Sequence, residues 1–275
     1  MRLDSHQHFW TYNEAEYPWI PKGSKLQRNW LPADLKKVQE PLGFDGSIAV
    51  QARQTVEESA WLLSLADNSP EVKGVVGWVD LLSDDVGEQL ARFALHPKFV
   101  GVRHVIQDEQ DPQFMARPDF LRGISKLKQF NLAYDLLIFP HQLASAIELV
   151  TRFPEQRFVI DHLAKPQIKD QLFFEWNLDI CDLAKAPNVF CKVSGLVTEA
   201  DHASWDPDDF IPYLDRVFEY FGPDRLMFGS DWPVCLLAAT YEQTINLVEQ
   251  YSGHYSVSDR EKLFGTNAEA FYLRK

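Results

Sequence analysis

Two histidines and one aspartate in this sequence have the types and positions needed for metal binding or acid–base catalysis. His6 and His8 end the first apolar segment, and Asp231 ends another near the carboxyl terminus. Alternate strand residues point to one face, so this spacing would aim both imidazoles at one point. If both segments are strands of one closed barrel, the three side chains meet at its mouth. The pair alone is equally typical of two histidines hydrogen-bonded in a polar barrel mouth.

A third histidine strengthens the case for a functional centre. His162 ends a later apolar run. Together, His6, His8, His162 and Asp231 could hold one Zn²⁺ and leave a position for water, whose pKa would fall toward about 7. Without a metal, Asp231 could act as general base on a water that His162 orients. These residues leave both alternatives open.

Two further residues could act on a carbonyl group. The guanidinium of Arg103 is always charged and suits a carbonyl or a carboxylate, although an ion pair with Asp80 or Asp135 is the alternative. Tyr134 could donate to a developing oxyanion, although a buried tyrosine is more often part of the core. The catalytic candidates are therefore Asp231, His162, Arg103 and Tyr134.

Other polar and aromatic residues at predicted strand ends are candidates for binding a substrate. They are Trp10, Gln51, Arg53, Trp78, His104, Lys165 and Trp232. The tryptophans among them, with Trp19, would form an apolar wall suited to the C–H face of a sugar ring, but ordinary packing explains them equally well. Lys192 is expected to face the interior, either free to act or paired with Asp161 or Asp231.

Water is the expected nucleophile. The sequence has no Gly-x-Ser-x-Gly elbow, and its three cysteines have no obvious histidine partner. This absence favours hydrolysis over covalent catalysis by a side chain.

The elements that must position these residues alternate between short apolar runs and amphipathic stretches. The predicted strands are 1–6, 46–51, 72–80, 99–105, 132–139, 157–161, 189–194 and 225–229. The predicted helices are 34–38, 56–66, 87–94, 120–130, 141–152, 172–186 and 210–221. Eight such units predict an α/β fold, a (β/α)₈ TIM barrel, with functional residues at the carboxyl ends of its strands. A doubly wound sheet is the alternative, but no Gly-rich phosphate loop accompanies it.

Length and charge narrow the class of protein further. The 275 residues are predicted to form one barrel domain, 1–275, with a long aromatic loop at 11–32 that serves as a lid or pocket wall. A net charge of −13 argues against nucleic acid as a partner. No apolar run is long enough for a membrane span, and the cysteine pattern and the lack of a signal peptide favour the cytoplasm. The oligomeric state stays open.

Several stretches resemble the amidohydrolase superfamily, and within it the lactonase branch. They are 4–10, 101–104, 161–166 and 229–234. Three longer stretches resemble bacterial L-fuconolactonases as a group. They are 47–53, 191–201 and 226–239. The resemblance covers nearly the whole chain.

The resemblance implies a (β/α)₈ barrel that hydrolyses a lactone ester, with a sugar lactone such as L-fucono-lactone or a related aldonolactone as the small-molecule partner. It implies a polar centre of His6, His8, His162 and Asp231, and a step in L-fucose degradation. Members of this branch differ in whether they need a metal, so one divalent ion, zinc, is expected as the cofactor, and whether the enzyme requires it stays open. The alternatives are a pyrone-dicarboxylate type of lactone hydrolase and a zinc-dependent decarboxylase on the same scaffold. No lysine follows the fourth strand, which argues against a two-metal site.

Overall fold

Eight parallel strands, paired in sequence order, form the centre of the computed structural model, which describes residues 1–273. The strands are β1 Leu3–Gln7, β2 Gly46–Val50, β3 Val72–Gly77, β4 Phe99–His104, β5 Ala133–Leu136, β6 Phe158–Ile160, β7 Val189–Val193 and β8 Leu226–Phe228. A parallel bridge between Gln7 and Trp232 joins the segment after β8 to β1. The predicted (β/α)₈ barrel is confirmed.

Helices surround the strands on the outside. They are α1 Pro32–Gln39, α2 Val56–Asn68, α3 Val86–Ala94, α4 Pro118–Leu127, α5 Leu143–Arg152, α6 Phe174–Ala184, α7 Leu196–Glu199, α8 Ile211–Phe221, α9 Tyr241–Ser252 and α10 Val257–Glu261. The first six and α8 correspond to predicted helices, whereas α7, α9 and α10 were not predicted. A signal for α9 is present in the sequence, because Thr240 caps this helix and Gln243 completes its capping box.

The carboxyl-terminal segment covers the amino ends of the strands. Phe271 and Tyr272 pack with interior strand residues, and Arg157, just before β6, donates to the carbonyl of Phe271. The Tyr272 hydroxyl lies 2.8 Å from Asp135 Oδ1, so this segment also reaches polar groups inside the barrel. The predicted extent of 1–275 includes residues 274 and 275, which lie outside the described residues. No helix within residues 1–273 is both long and apolar enough to cross a membrane.

The long segment between β1 and α1 packs against the barrel. Trp10 and Trp30 form an antiparallel bridge at its base, and Tyr17 is buried. Trp19 is 43% exposed and donates from Nε1 to the carbonyl of Ala52 at 3.2 Å. These contacts hold the segment across the loop that follows β2.

Candidate active site

Three side chains converge at the seam where β8 meets β1. His6 Nε2 lies 3.1 Å from His8 Nε2, and Asp231 Oδ1 lies 3.3 Å from His8 Nε2 and 3.8 Å from His6 Nε2. The backbone holds them there, because the Asp231 amide donates to the His6 carbonyl at 2.8 Å. His162 Nε2 stands at the edge, 4.0 Å from Asp231 Oδ1.

The charges at this seam follow from burial. Burial lowers the pKa of His162 to about 4 and the pKa of His6 well below its ordinary value, which leaves both rings neutral at pH 7. Burial raises the pKa of Asp231, but His162, the hydrogen bond from His8 and the nearby His6 outweigh it, so its pKa lies well below the ordinary value. Asp231 is therefore an ionised carboxylate beside neutral imidazoles.

Contacts with neighbouring groups orient the rings of His6 and His8. His8 Nδ1 lies 2.8 Å from the Val50 carbonyl, which only accepts, so Nδ1 carries a proton, and Nε2 faces Asp231 Oδ1 at 3.3 Å. His6 Nδ1 lies 3.2 Å from Asp161 Oδ1 and 3.1 Å from Lys192 Nζ, which together hold the ring with its Nε2 toward His8 and Asp231. The Nε2 atoms of both rings and the Asp231 carboxylate thus face one another.

This donor set fits one divalent cation. Tetrahedral ligands about 2.0–2.1 Å from Zn²⁺ lie roughly 3.3 Å apart, close to the spacing of His6 Nε2, His8 Nε2 and Asp231 Oδ1. The hydrogen bond to Val50 and the contact with Asp161 orient the two rings as the outer partners of metal-binding histidines do.

A second group of potential ligands within residues 1–273 consists of His6, Asp161 and His162. Its carboxylate is already engaged, because Asp161 lies 3.0 Å from both Lys192 Nζ and Arg103 Nη1. Lys192 Nζ also lies 3.1 Å from His6 Nδ1. A cation of the protein itself therefore occupies this position, and the geometry suits one metal rather than two.

A charged network lies beneath the seam. Fully buried Lys192 contacts Asp135 Oδ2 at 2.5 Å as well as Asp161. Burial raises the pKa of Asp161, but Lys192, His6 and Arg103 outweigh it and hold the pKa well below its ordinary value. The expected pairing of Lys192 with Asp161 is present. Arg103 pairs with Asp161 rather than with Asp80 or Asp135.

A cavity of about 520 Å³ opens onto the seam. Its lining includes these predicted site residues: His8, Gln51, Arg53, Arg103, His162, Lys165 and Asp231. A larger cavity of about 750 Å³ lies beside it and shares Lys165, but neither the histidines of the seam nor Asp231 line that space. The smaller cavity is therefore the candidate active site.

Besides His6, which lies at the seam, five predicted site residues lie outside this cavity lining. They are Trp10, Trp78, His104, Tyr134 and Trp232. The Tyr134 ring packs against Phe120 of α4 at a centroid distance of 6.0 Å, because its neighbours on β5 face the interior and alternation turns Tyr134 toward the helices. Its hydroxyl is therefore not placed to meet a substrate in the cavity.

The remaining four residues also contact protein groups. His104 Nε2 lies 2.6 Å from Glu109 Oε1 and its Nδ1 accepts from Trp78 Nε1 at 3.4 Å. Trp10 donates to main-chain carbonyls of its own loop, and Trp232 is buried against Trp30. The expected tryptophan wall is represented in the cavity by Trp19, and substrate roles for these four residues stay predictions.

Several lining residues were missed by the sequence analysis. They are Glu16, Ala52, Gln54, Thr55, Val105, Gln107, Asp108, Leu137 and Val234. Val105 and Leu137 lie within predicted strands, whereas most of the others follow a predicted strand closely, where the turn geometry rather than the strand pattern sets direction. Glu16 lies in the long aromatic loop, and its ion pair with Arg53 at 2.8 Å ties that loop to the cavity rim.

Left-handed backbone places His162 at the site. Residues 162–165 all have positive φ, with His162 at 55°, and Asp231 also has a φ of 55°. Such conformations cost about 1–2 kcal/mol per non-glycine residue. Gly195, with a φ of 64°, leaves room for His162, because a Cβ there would lie 2.5 Å from His162 Nδ1.

Replacing Gly195 with alanine should lower kcat about 10- to 100-fold, because the added methyl group displaces the His162 ring from Ser194 and from the seam. Gly222→Ala is a matched control, since Gly222 has a φ of 65° but open space around its Cβ position. The control should lower the melting temperature without changing kcat. Equal kcat values for the two variants would contradict the role assigned to this contact.

Comparison with known proteins identifies the family of this chain, two related proteins and a related crystal structure. The amidohydrolase family model matches residues 3–274. The L-fucono-1,5-lactonase of Burkholderia multivorans is 41% identical over 99% of this chain and 96% of that protein. The L-fucono-1,5-lactonase of Burkholderia ambifaria is 37% identical over 98% and 95%. A crystal structure of an amidohydrolase from Burkholderia multivorans with bound Zn covers 100% of both chains at 40% identity and a TM-score of 0.96.

Proposed function

Because this chain belongs to the amidohydrolase family, we propose that it hydrolyses the cyclic ester of a sugar lactone to the open aldonic acid. The proposed substrate is L-fucono-1,5-lactone or a related aldonolactone, in keeping with the names of the two Burkholderia relatives. The observation that carries the proposal is the convergence of His6, His8 and Asp231 beside Arg103 at one cavity.

Asp231 is the proposed general base. It is ionised at neutral pH and lines the cavity, so it can take a proton from a water that attacks the lactone carbonyl. A carboxylate with so low a pKa is a weak base toward free water. A bound metal ion would assist it by lowering the pKa of the attacking water. When the ring oxygen leaves, Asp231 or His162 returns a proton to it.

Arg103 is proposed to stabilise the negative charge that develops on the carbonyl oxygen. Its guanidinium lines the cavity, and Nη1 lies 3.4 Å from His6 Nε2. Asp161 anchors the same nitrogen at 3.0 Å, which holds the fork in place before the substrate arrives. Such preorganised charge is worth more in a buried site than in water.

We propose one zinc ion as the cofactor, held by His6, His8 and Asp231, with His162 at the edge of the set. A bound zinc would lower the pKa of a water molecule and polarise the lactone carbonyl. The fit of the three donor atoms to tetrahedral spacing supports this proposal, as does the zinc in the related crystal structure.

A pH-indicator assay on a panel of sugar lactones tests the function. The as-purified enzyme should hydrolyse L-fucono-1,5-lactone faster than the uncatalysed background and faster than a pyrone dicarboxylate. Chelation should lower the rate at least about tenfold, and added zinc should restore it. A rate that survives complete metal removal would assign water activation to Asp231 alone.

The panel also separates the alternatives. Turnover of the pyrone dicarboxylate in preference to every sugar lactone would contradict the proposed substrate while keeping the reaction class. Failure to hydrolyse any lactone with zinc present would contradict the proposed function, and release of CO₂ from an aromatic acid would then indicate a decarboxylase.

A further inference from the structure

We infer that Gln51 selects lactones with a hydroxyl group on the carbon next to the carbonyl, because its amide oxygen accepts a hydrogen bond from that 2-hydroxyl. This inference rests on the proposed lactone hydrolysis. It assigns one functional group of the substrate to one side chain of the cavity.

The orientation of the Gln51 amide is set by its neighbour. Gln51 follows β2, is fully buried and lines the cavity. Its Nε2 donates to the main-chain carbonyl of Arg103 at 3.3 Å. A carbonyl oxygen only accepts hydrogen bonds, so the amide cannot be turned the other way.

The side-chain amide oxygen of Gln51 is an unsatisfied hydrogen-bond acceptor in the described chain. Oε1 is buried and has no hydrogen-bond partner among the residues that the structure describes. An unsatisfied buried acceptor is unfavourable, and native proteins rarely keep one without a use. A donor on a ligand in the cavity would satisfy it.

The position of Gln51 indicates which donor this is. Arg103 Nη2 donates to the main-chain carbonyl of Gln51 at 2.5 Å, and Nη1 of the same guanidinium lies 3.4 Å from His6 Nε2. Gln51 therefore adjoins the group that we propose to bind the lactone carbonyl. The carbonyl oxygen and the ring oxygen can only accept, so the 2-hydroxyl is the nearest group of the substrate that can donate to Oε1.

Two other amides line the same cavity and provide comparisons. Gln54 Oε1 already accepts from the Val105 amide at 2.8 Å, so it has less need of a ligand donor. Gln107 Oε1 is also buried without a partner in the described chain, but Gln107 is only half-buried as a residue. Gln107 is thus the competing acceptor that the experiment must separate from Gln51.

The test compares kcat/KM for L-fucono-1,5-lactone and its 2-deoxy analogue. The wild-type enzyme should prefer the 2-hydroxy substrate on the order of 100-fold, because the analogue leaves the acceptor unpaired. Gln51→Met should reduce this preference to about threefold or less, mainly by slowing the 2-hydroxy substrate. Gln54→Met and Gln107→Met should keep most of the preference.

Retained turnover of the 2-deoxy substrate by Gln51→Met shows that the variant is folded. If that variant does not fold, Gln51→Glu replaces it in the test. Because glutamate keeps an acceptor oxygen, Gln51→Glu should keep most of the wild-type preference for the 2-hydroxy substrate. A wild-type preference below about threefold, or a preference that disappears in Gln107→Met rather than in Gln51→Met, overturns the inference. Absence of turnover on both lactones by the wild-type enzyme would instead overturn the proposed function.

Discussion

Replacing Asp231 with asparagine should lower kcat for lactone hydrolysis by about 10³- to 10⁴-fold. The substitution keeps the size of the side chain but removes the anion that takes the proton from water. It also removes a charged oxygen from beside His6 and His8, where Asp231 Oδ1 lies 3.8 and 3.3 Å from their Nε2 atoms. The measurement is steady-state kinetics on the best lactone of the panel.

Zinc content separates the two effects of this change. If Asp231 acts mainly as the base, Asp231→Asn should remain slow even when saturating zinc is supplied. If it acts mainly as a ligand, excess zinc should recover much of kcat. Asp108→Asn is a suitable comparison, because Asp108 is a carboxylate that lines the same cavity. It should lower kcat by less than about tenfold. Near-normal turnover by Asp231→Asn would contradict the proposal that Asp231 is the general base.

Replacing Lys192 with methionine should lower the free energy of unfolding by about 3–5 kcal/mol, because it leaves two buried carboxylates without their shared cation. Asp135 and Asp161 are both fully buried, and Lys192 Nζ lies 2.5 and 3.0 Å from them. Urea denaturation measures the change. Lys128→Met is the matched control, since its ion pair with Glu155 is exposed, and the stability of that variant should stay nearly unchanged.

The loss of unfolding free energy in Lys192→Met should increase with pH. Burial raises the pKa of Asp135 to about 6 even with Lys192 present, so the folded state holds this proton more tightly than the unfolded chain does. Ionising Asp135 therefore costs stability as the pH rises from the ordinary carboxyl pKa to about 6, and because Lys192 lowers this pKa, its removal extends the loss to pH values above 6. The deficit should be larger at pH 8 than at pH 5. A deficit that is small, or equal at both values, would show that the network tolerates the missing charge.

The order of the strands and the meeting of the site residues were predictable from the sequence. Eight apolar runs separated by amphipathic stretches leave the parallel barrel as the simplest arrangement, and its geometry brings the carboxyl ends of all strands to one face. That rule sufficed to group His6, His8, Arg103, His162 and Asp231, although their segments are far apart in the chain. For His6 and His8, the alternation of side chains along a strand was a further rule that the prediction used.

Side-chain direction at the strand ends was decided by the tertiary structure. Tyr134 and Arg103 both lie on strands whose carboxyl ends meet at the barrel mouth, yet Tyr134 turns toward α4 and Arg103 turns toward Asp161. In β1 a register shift between Asp4 and Gln7 interrupts simple alternation. Strands this short, such as β6 with three residues, carry too few alternating positions to specify a face.

The sequence by itself thus determined the barrel and the chemistry available at its mouth, because hydrophobic periodicity and residue type are local properties. Only the tertiary structure decided that Asp161 joins Lys192, Arg103 and His6, and that Trp19 rather than Trp10 borders the cavity. Those outcomes depend on left-handed turns, on a glycine that leaves room for a ring, and on the docking of a long loop. Each of these features depends on contacts between segments that are distant in sequence, and no pattern within a single segment encodes those contacts.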